Sequence, residues 1–93
     1  MHFKIGKLYV NTAEDTAWPL FYIERNTICA TYLICGWLEP SDLFVPIVFV
    51  SESPHKEYEI LCKDGTIAIL ILSRYYIEET FREYDPRELE LKL

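Results

Sequence analysis

The sequence predicts a mainly β fold, a small antiparallel barrel of five to six strands with a short helical turn near its C-terminus. Three observations predict it. The run 57–81, EYEILCKDGTIAILILSRYYIEETF, reads as two antiparallel strands, a tight turn and a helical closure. Upstream of it, strand-length apolar segments alternate with short polar loops carrying Pro, Asn, Asp or Ser. Of the 93 residues, 51% are apolar and 14 are aromatic (2 Trp, 7 Tyr and 5 Phe), a content that favours one folded domain over disorder.

Taken in order, residues 3–10 make a first strand around Gly6, and residues 11–16 a polar loop. Residues 18–23 make a second strand, and Pro19 suits an edge or a strand start, because it has no N–H for a ladder. Asn26-Thr27 turns the chain into a third strand, 28–38, where Gly36 marks a bend or bulge as the chain leaves the sheet. Glu39-Pro40-Ser41-Asp42 is a loop, and 43–50 is a fourth strand, apolar throughout with Pro46 inside it.

The last hairpin turns at Lys63-Asp64-Gly65, where Asp and Gly supply the positive φ that a short connection between twisted strands requires. Tyr58, Ile60 and Cys62 alternate with Glu57, Glu59 and Leu61, the period of a half-buried strand. In the outgoing strand Ile67, Ile69 and Ile71 share one face and Ala68, Leu70 and Leu72 the other, so neither face suits water. Ser73 can cap a short helical turn over 74–79. The tail, 85–93, is read as an edge strand, because Leu89, Leu91 and Leu93 alternate with Glu88, Glu90 and Lys92, although Asp85-Pro86-Arg87-Glu88 also has helix-opening chemistry.

Charge and cysteine usage bound the function. The net charge is −6 and no basic cluster exists, which argues against a nucleic-acid partner. Six of the 15 acids fall in the last 17 residues, interrupted by Arg82, Arg87 and Lys92. No stretch reaches the roughly 18 apolar residues of a membrane span, and the N-terminus lacks a secretory leader pattern, so a cytoplasmic location is expected. Cys29, Cys35 and Cys62 show no C-x-x-C spacing and read as reduced, mostly buried thiols. Cys29 and Cys35 share a strand face but lie roughly 20 Å apart at strand rise, too far to pair with each other. His2 and His55 are isolated, so no metal and no cofactor is expected.

The order of elements resembles a family. The start, FKIGKLYV, is similar to the first strand of SH3-like small barrels, and the KDG hairpin followed by SRYYIE resembles their last hairpin and closing turn, with Tyr76-Ile77-Glu78 in the place of a Tyr-Val-Glu. The chain is also similar to short acidic SH3-like proteins encoded by bacteriophages. The resemblance implies a barrel with Tyr76 and Ile77 packing its base. It does not extend to the Pro-rich-peptide groove, since His55-Lys56-Glu57 stand where that family places a Trp and Ser73 and Tyr75 replace the closing Pro and Asn.

Two consequences follow for function. Residues 28–38, 43–50 and 66–72 are apolar on both faces, so the outside of the barrel needs a cover. Self-association into a dimer is the expected one, with Ile67, Ile69 and Ile71 as candidate seam residues. Trp18, Tyr22, Trp37, Tyr75 and Tyr76 are candidate partner-binding aromatics, joined by Tyr32 as a possible pocket residue, with core and rim packing as their alternative role. The expected function is a non-enzymatic interaction module, of the phage accessory type, binding a host protein through an apolar, aromatic and acidic surface. The alternative is a homo-oligomer that binds a small molecule at a subunit interface. No Ser carries the flanking glycines of a nucleophile elbow, and no catalytic residue is assigned.

Overall fold

The computed structural model of the chain describes residues 3–52, 55–72, 80–85 and 87. They are mainly β. Seven strands, β1 (Tyr9–Asn11), β2 (Trp18–Arg25), β3 (Ala30–Leu38), β4 (Leu43–Ser51), β5 (Lys56–Cys62), β6 (Ile67–Leu72) and β7 (Phe81–Glu83), form one sheet in the order β3-β2-β6-β5-β4-β1-β7. Every ladder is antiparallel.

This corrects the expected count of five to six strands and the expected closure. The added strand is β7, a three-residue segment too short to show a period, which pairs with β1 through Tyr9↔Glu83 and Asn11↔Phe81. The sheet is strongly rolled: Trp18 at the start of β2 lies 5.6 Å from Phe81 of β7, although four strands separate β2 from β7 in the sheet order. It is not closed, because no ladder joins β3 to β7 among the described residues. The expected helical turn over 74–79, with Tyr75, Tyr76 and Ile77, and all of the expected tail strand over 85–93 except residues 85 and 87 lie outside the described residues.

The first strand is shorter than predicted. Gly6 adopts φ +82 and its N–H bonds to the Pro46 carbonyl at 2.8 Å, so residues 4–7 turn and only Tyr9–Asn11 reaches the ladder. Phe3 still enters the core. Its ring meets Tyr9, Tyr58, Phe44 and Phe81 at 4.7 to 5.6 Å. That aromatic cluster, with Leu20, Leu38, Ile60, Ala68, Leu70 and Leu72, fills the inside of the roll.

Gly36 does not take the chain out of the sheet, because β3 continues to Leu38. The irregularity lies beside it: Leu20 faces Gly36 and Phe21 faces Ile34, which leaves Cys35 as the extra residue of a bulge. Pro46 sits next to a second register shift, between Pro46 and Val48, which suits a residue that cannot donate to a ladder. In the KDG turn only Gly65 takes positive φ, at +86, while the Asp64 carboxylate accepts from the Thr66 N–H and hydroxyl at 3.0 and 2.6 Å.

Asn11 fastens the open side of the roll. Its side chain is 1% exposed, and it donates through Nδ2 to the carbonyls of Thr16 and Leu38 and accepts through Oδ1 from the Ala13 N–H. Its backbone meets the 39–42 loop, where the Ser41 N–H bonds to the Asn11 carbonyl at 2.8 Å.

Candidate interaction surface

β3 is an edge strand. Its ladder partner is β2 on one side, and on the other no described strand pairs with it. Natural sheets blunt such edges with charge, Pro or a bulge. The bulge at Cys35 is present, but the nine residues ATYLICGWL contain neither a charged residue nor a proline. The sequence predicts a strand apolar on both faces whose outer face needs a cover. The structure instead leaves Tyr32, Ile34 and Trp37 exposed, with Ile28 at the hairpin tip 92% exposed.

The hairpin tip is built by Asn26, whose side-chain carbonyl accepts from the N–H groups of Ile28 and Cys29 at 2.9 and 2.8 Å, an Asx-type turn. From there the hairpin folds over the sheet. The Tyr32 hydroxyl donates to the Glu57 carboxylate at 2.8 Å, although β2 and β6 lie between β3 and β5. Across a flat sheet those strands stand about 14 Å apart. The hydrogen bond to Glu57 and burial together hold the Tyr32 phenol above its ordinary pKa. Phe21 packs beside Tyr32 with its ring tilted by 51° and the centroids 6.3 Å apart.

The pairing of β2 with β6 decides the seam predicted on β6. Ile69 pairs across from Phe21 and is 5% exposed, so the chain covers it itself; Ile71 is half-buried and Ile67 is 59% exposed. The three isoleucines therefore do not present one free face.

At the other end of β3 a cleft of about 170 Å³ lies between the strand and the KDG turn. Leu20, Leu38, Leu43 and Ala68 line it with Trp37, while Cys35 and Cys62 bring two thiols to its wall. Asp42 and Lys63 close the rim through a 2.7 Å ion pair, and Asp42 also accepts from the Glu39 N–H at 2.9 Å, so the 39–42 loop and the turn are held together. Burial pushes the Cys62 thiol above its ordinary pKa. A raised pKa makes a poor nucleophile.

The candidate aromatics divide accordingly. Trp37 is exposed at the cleft mouth and Tyr22 is exposed on β2, whereas Trp18 is half-buried against Phe81. Tyr75 and Tyr76 lie outside the described residues. The expectation of mostly buried thiols is corrected: Cys29 and Cys35 are exposed, one at the hairpin tip and one at the edge bulge, and Cys62 is half-buried. Sequence reasoning missed Ile34, Cys35 and the Asp42–Lys63 clasp. The signal for the first two was a run without charge from residue 26 to 38 in a chain that is 26% charged.

No helix among the described residues is long and apolar enough to cross a membrane. Among the described residues no group of three or more His, Cys, Asp or Glu side chains is placed to hold a metal ion. Compared with known proteins, the chain matches no family model, no curated protein and no solved structure.

Proposed function

We propose that this protein is a non-enzymatic interaction module that binds a protein partner along β3 and around Trp37. One observation carries the reading: a nine-residue edge strand with no charge and no proline that carries exposed Tyr32, Ile34 and Trp37. Such an edge offers unpaired N–H and C=O groups to an added strand, and its side chains supply specificity.

The cleft beside Trp37 is smaller than a drug-sized ligand needs. Pockets for drug-sized ligands run to about 300–1,000 Å³. A cleft of about 170 Å³ accommodates one apolar side chain of a docked chain. The raised pKa of Cys62 supports a non-catalytic role for that thiol. An SH3-like relationship, a bacteriophage origin, a host protein as partner and a cytoplasmic setting belong to the same proposal. The KDG hairpin and the rolled antiparallel sheet support the first of these.

Affinity capture from host extract, with cross-links located by mass spectrometry, tests the reading. A captured protein should cross-link to residues 28–38. Trp37→Ala should weaken capture roughly 30-fold, the effect of losing about 2 kcal/mol at a binding hot spot. Equal retention by Trp37→Ala, or cross-links that avoid 28–38, would remove the proposal.

A further inference from the structure

We infer that the occupant of the β3 edge is a second copy of this chain, paired antiparallel about a two-fold axis at Tyr32. The inference rests on the reading of β3 as a protein-binding edge: it assigns residues 30–34 to a second copy and leaves the surface around Trp37 to a foreign protein.

The backbone decides which residues can pair. The Asn26 N–H donates to the Cys29 carbonyl at 3.1 Å, so Cys29 points its backbone groups at β2. Along an antiparallel strand these directions alternate. Thr31 and Leu33 therefore also face β2, while Ala30, Tyr32 and Ile34 turn their N–H and C=O groups to the open side. These residues lie in the regular part of the strand, before the bulge at Cys35.

A two-fold axis at Tyr32 uses all three. Ala30 meets the partner's Ile34, Tyr32 meets the partner's Tyr32, and Ile34 meets the partner's Ala30, exchanging about six hydrogen bonds. An axis one residue to either side leaves an outward-facing residue of this stretch without a counterpart in it. The register was chosen from hydrogen bonds alone, yet it has a second consequence. Cys29 falls opposite the partner's Cys35, the bulge residue, twice, once beyond each end of the hydrogen-bonded stretch. Two exposed thiols that cannot pair within one chain thus become paired neighbours between two.

The uncharged edge permits the same occupant. Each copy carries −6, and β3 is a nine-residue stretch over which two such chains meet without opposing carboxylates. Nine residues make an edge of about 30 Å, and a specific interface needs roughly 500 Å² per copy. Exposed Ile28 and Ile34 add apolar surface to that edge.

Two measurements test the pairing. Light scattering at micromolar concentration should give twice the 11.0 kDa chain mass, falling to one chain mass for Ala30→Pro. That proline removes an N–H pointing away from β2, so the hairpin's own ladder is spared.

The second uses cysteine variants in a Cys62→Ser background, treated with oxidised glutathione. Each inter-chain disulfide forms as two thiols give up two protons and two electrons, reducing one oxidised glutathione to two thiols. Cys29→Ser alone and Cys35→Ser alone should not cross-link, because like cysteines then stand roughly 20 Å apart across the axis. Their mixture should give a covalent dimer.

A wild type of one chain mass, a folded Ala30→Pro that stays dimeric, or cross-linking by either single variant would overturn the inference. A monomer that loses a foreign protein on Trp37→Ala would overturn self-pairing and leave the interaction module standing. A dimer with no foreign partner would support self-pairing and remove the foreign one.

Discussion

Replacing Asn11 by Ala should be among the most damaging polar substitutions in the chain. The side chain is almost fully enclosed and makes three hydrogen bonds, to the carbonyls of Thr16 and Leu38 at 3.1 and 3.2 Å and from the Ala13 N–H at 3.1 Å. Each bond contributes about 1 kcal/mol, and a partner left buried without one costs more than the bond itself. The Leu38 carbonyl is such a partner, since that residue is 2% exposed. The expected loss is about 3–4 kcal/mol, a large share of the stability of a domain this small. Thermal unfolding followed by circular dichroism should show the midpoint lowered by roughly 15–25 °C. Asn11→Asp should also destabilise, because a carboxylate cannot donate to the two carbonyls. A midpoint within about 4 °C of wild type, the shift of less than 1 kcal/mol, would refute the view that Asn11 fastens the open side of the roll.

Further outcomes follow from the turns and the buried acids. Gly65→Ala should cost about 1–2 kcal/mol in urea denaturation through backbone strain alone, because Gly65 sits at φ +86 and an added Cβ meets nothing within 4 Å. Gly36→Ala is its control: the space is equally open and φ is not positive, so no loss is expected. Stability should decline in alkali. Burial raises the pKa of both Tyr58 and Cys62 in the folded state, so their contribution is complete below their unfolded values, about pH 8.5 for Cys and about 10 for Tyr, and is lost as pH rises through the folded ones. Tyr58→Phe should flatten the limb above about pH 10, and an unchanged limb would count against burial of the phenol.

The hairpin of β5 and β6 was legible because several local signals agreed: alternation over Tyr58, Ile60 and Cys62, and a Gly where φ is positive. Positions of β2, β3 and β4 were legible to within about two residues for the same reason. β1 was over-extended because Phe3 and Ile5 look like strand residues, whereas Gly6 turns the chain and Phe3 serves the core from a loop. β7 was invisible, since Phe81-Arg82-Glu83 has no pattern of its own and pairs only because the roll brings it to β1.

The candidate site was harder to read. An uncharged run such as 28–38 has the same composition whether it lies in a core or at an edge, and only the strand order distinguishes the two. The burial of Ile69 depends on the pairing of β6 with β2, which sets Phe21 opposite it 48 residues away in sequence. Trp37 was legible as a candidate because it is an aromatic beside Gly36 and a loop. The clasp between Asp42 and Lys63 was not, because each looks like an ordinary surface charge.

The most direct test of β3 as an open working edge is amide hydrogen exchange, residue by residue, at two protein concentrations. In dilute solution the Thr31 and Leu33 amides should be protected by β2, while those of Ala30, Tyr32 and Ile34 exchange quickly. At high concentration the second set should become protected as copies pair. Protection of Ala30, Tyr32 and Ile34 at every dilution would mean that the edge is covered within a single chain, and fast exchange at every concentration would mean that no second copy docks there.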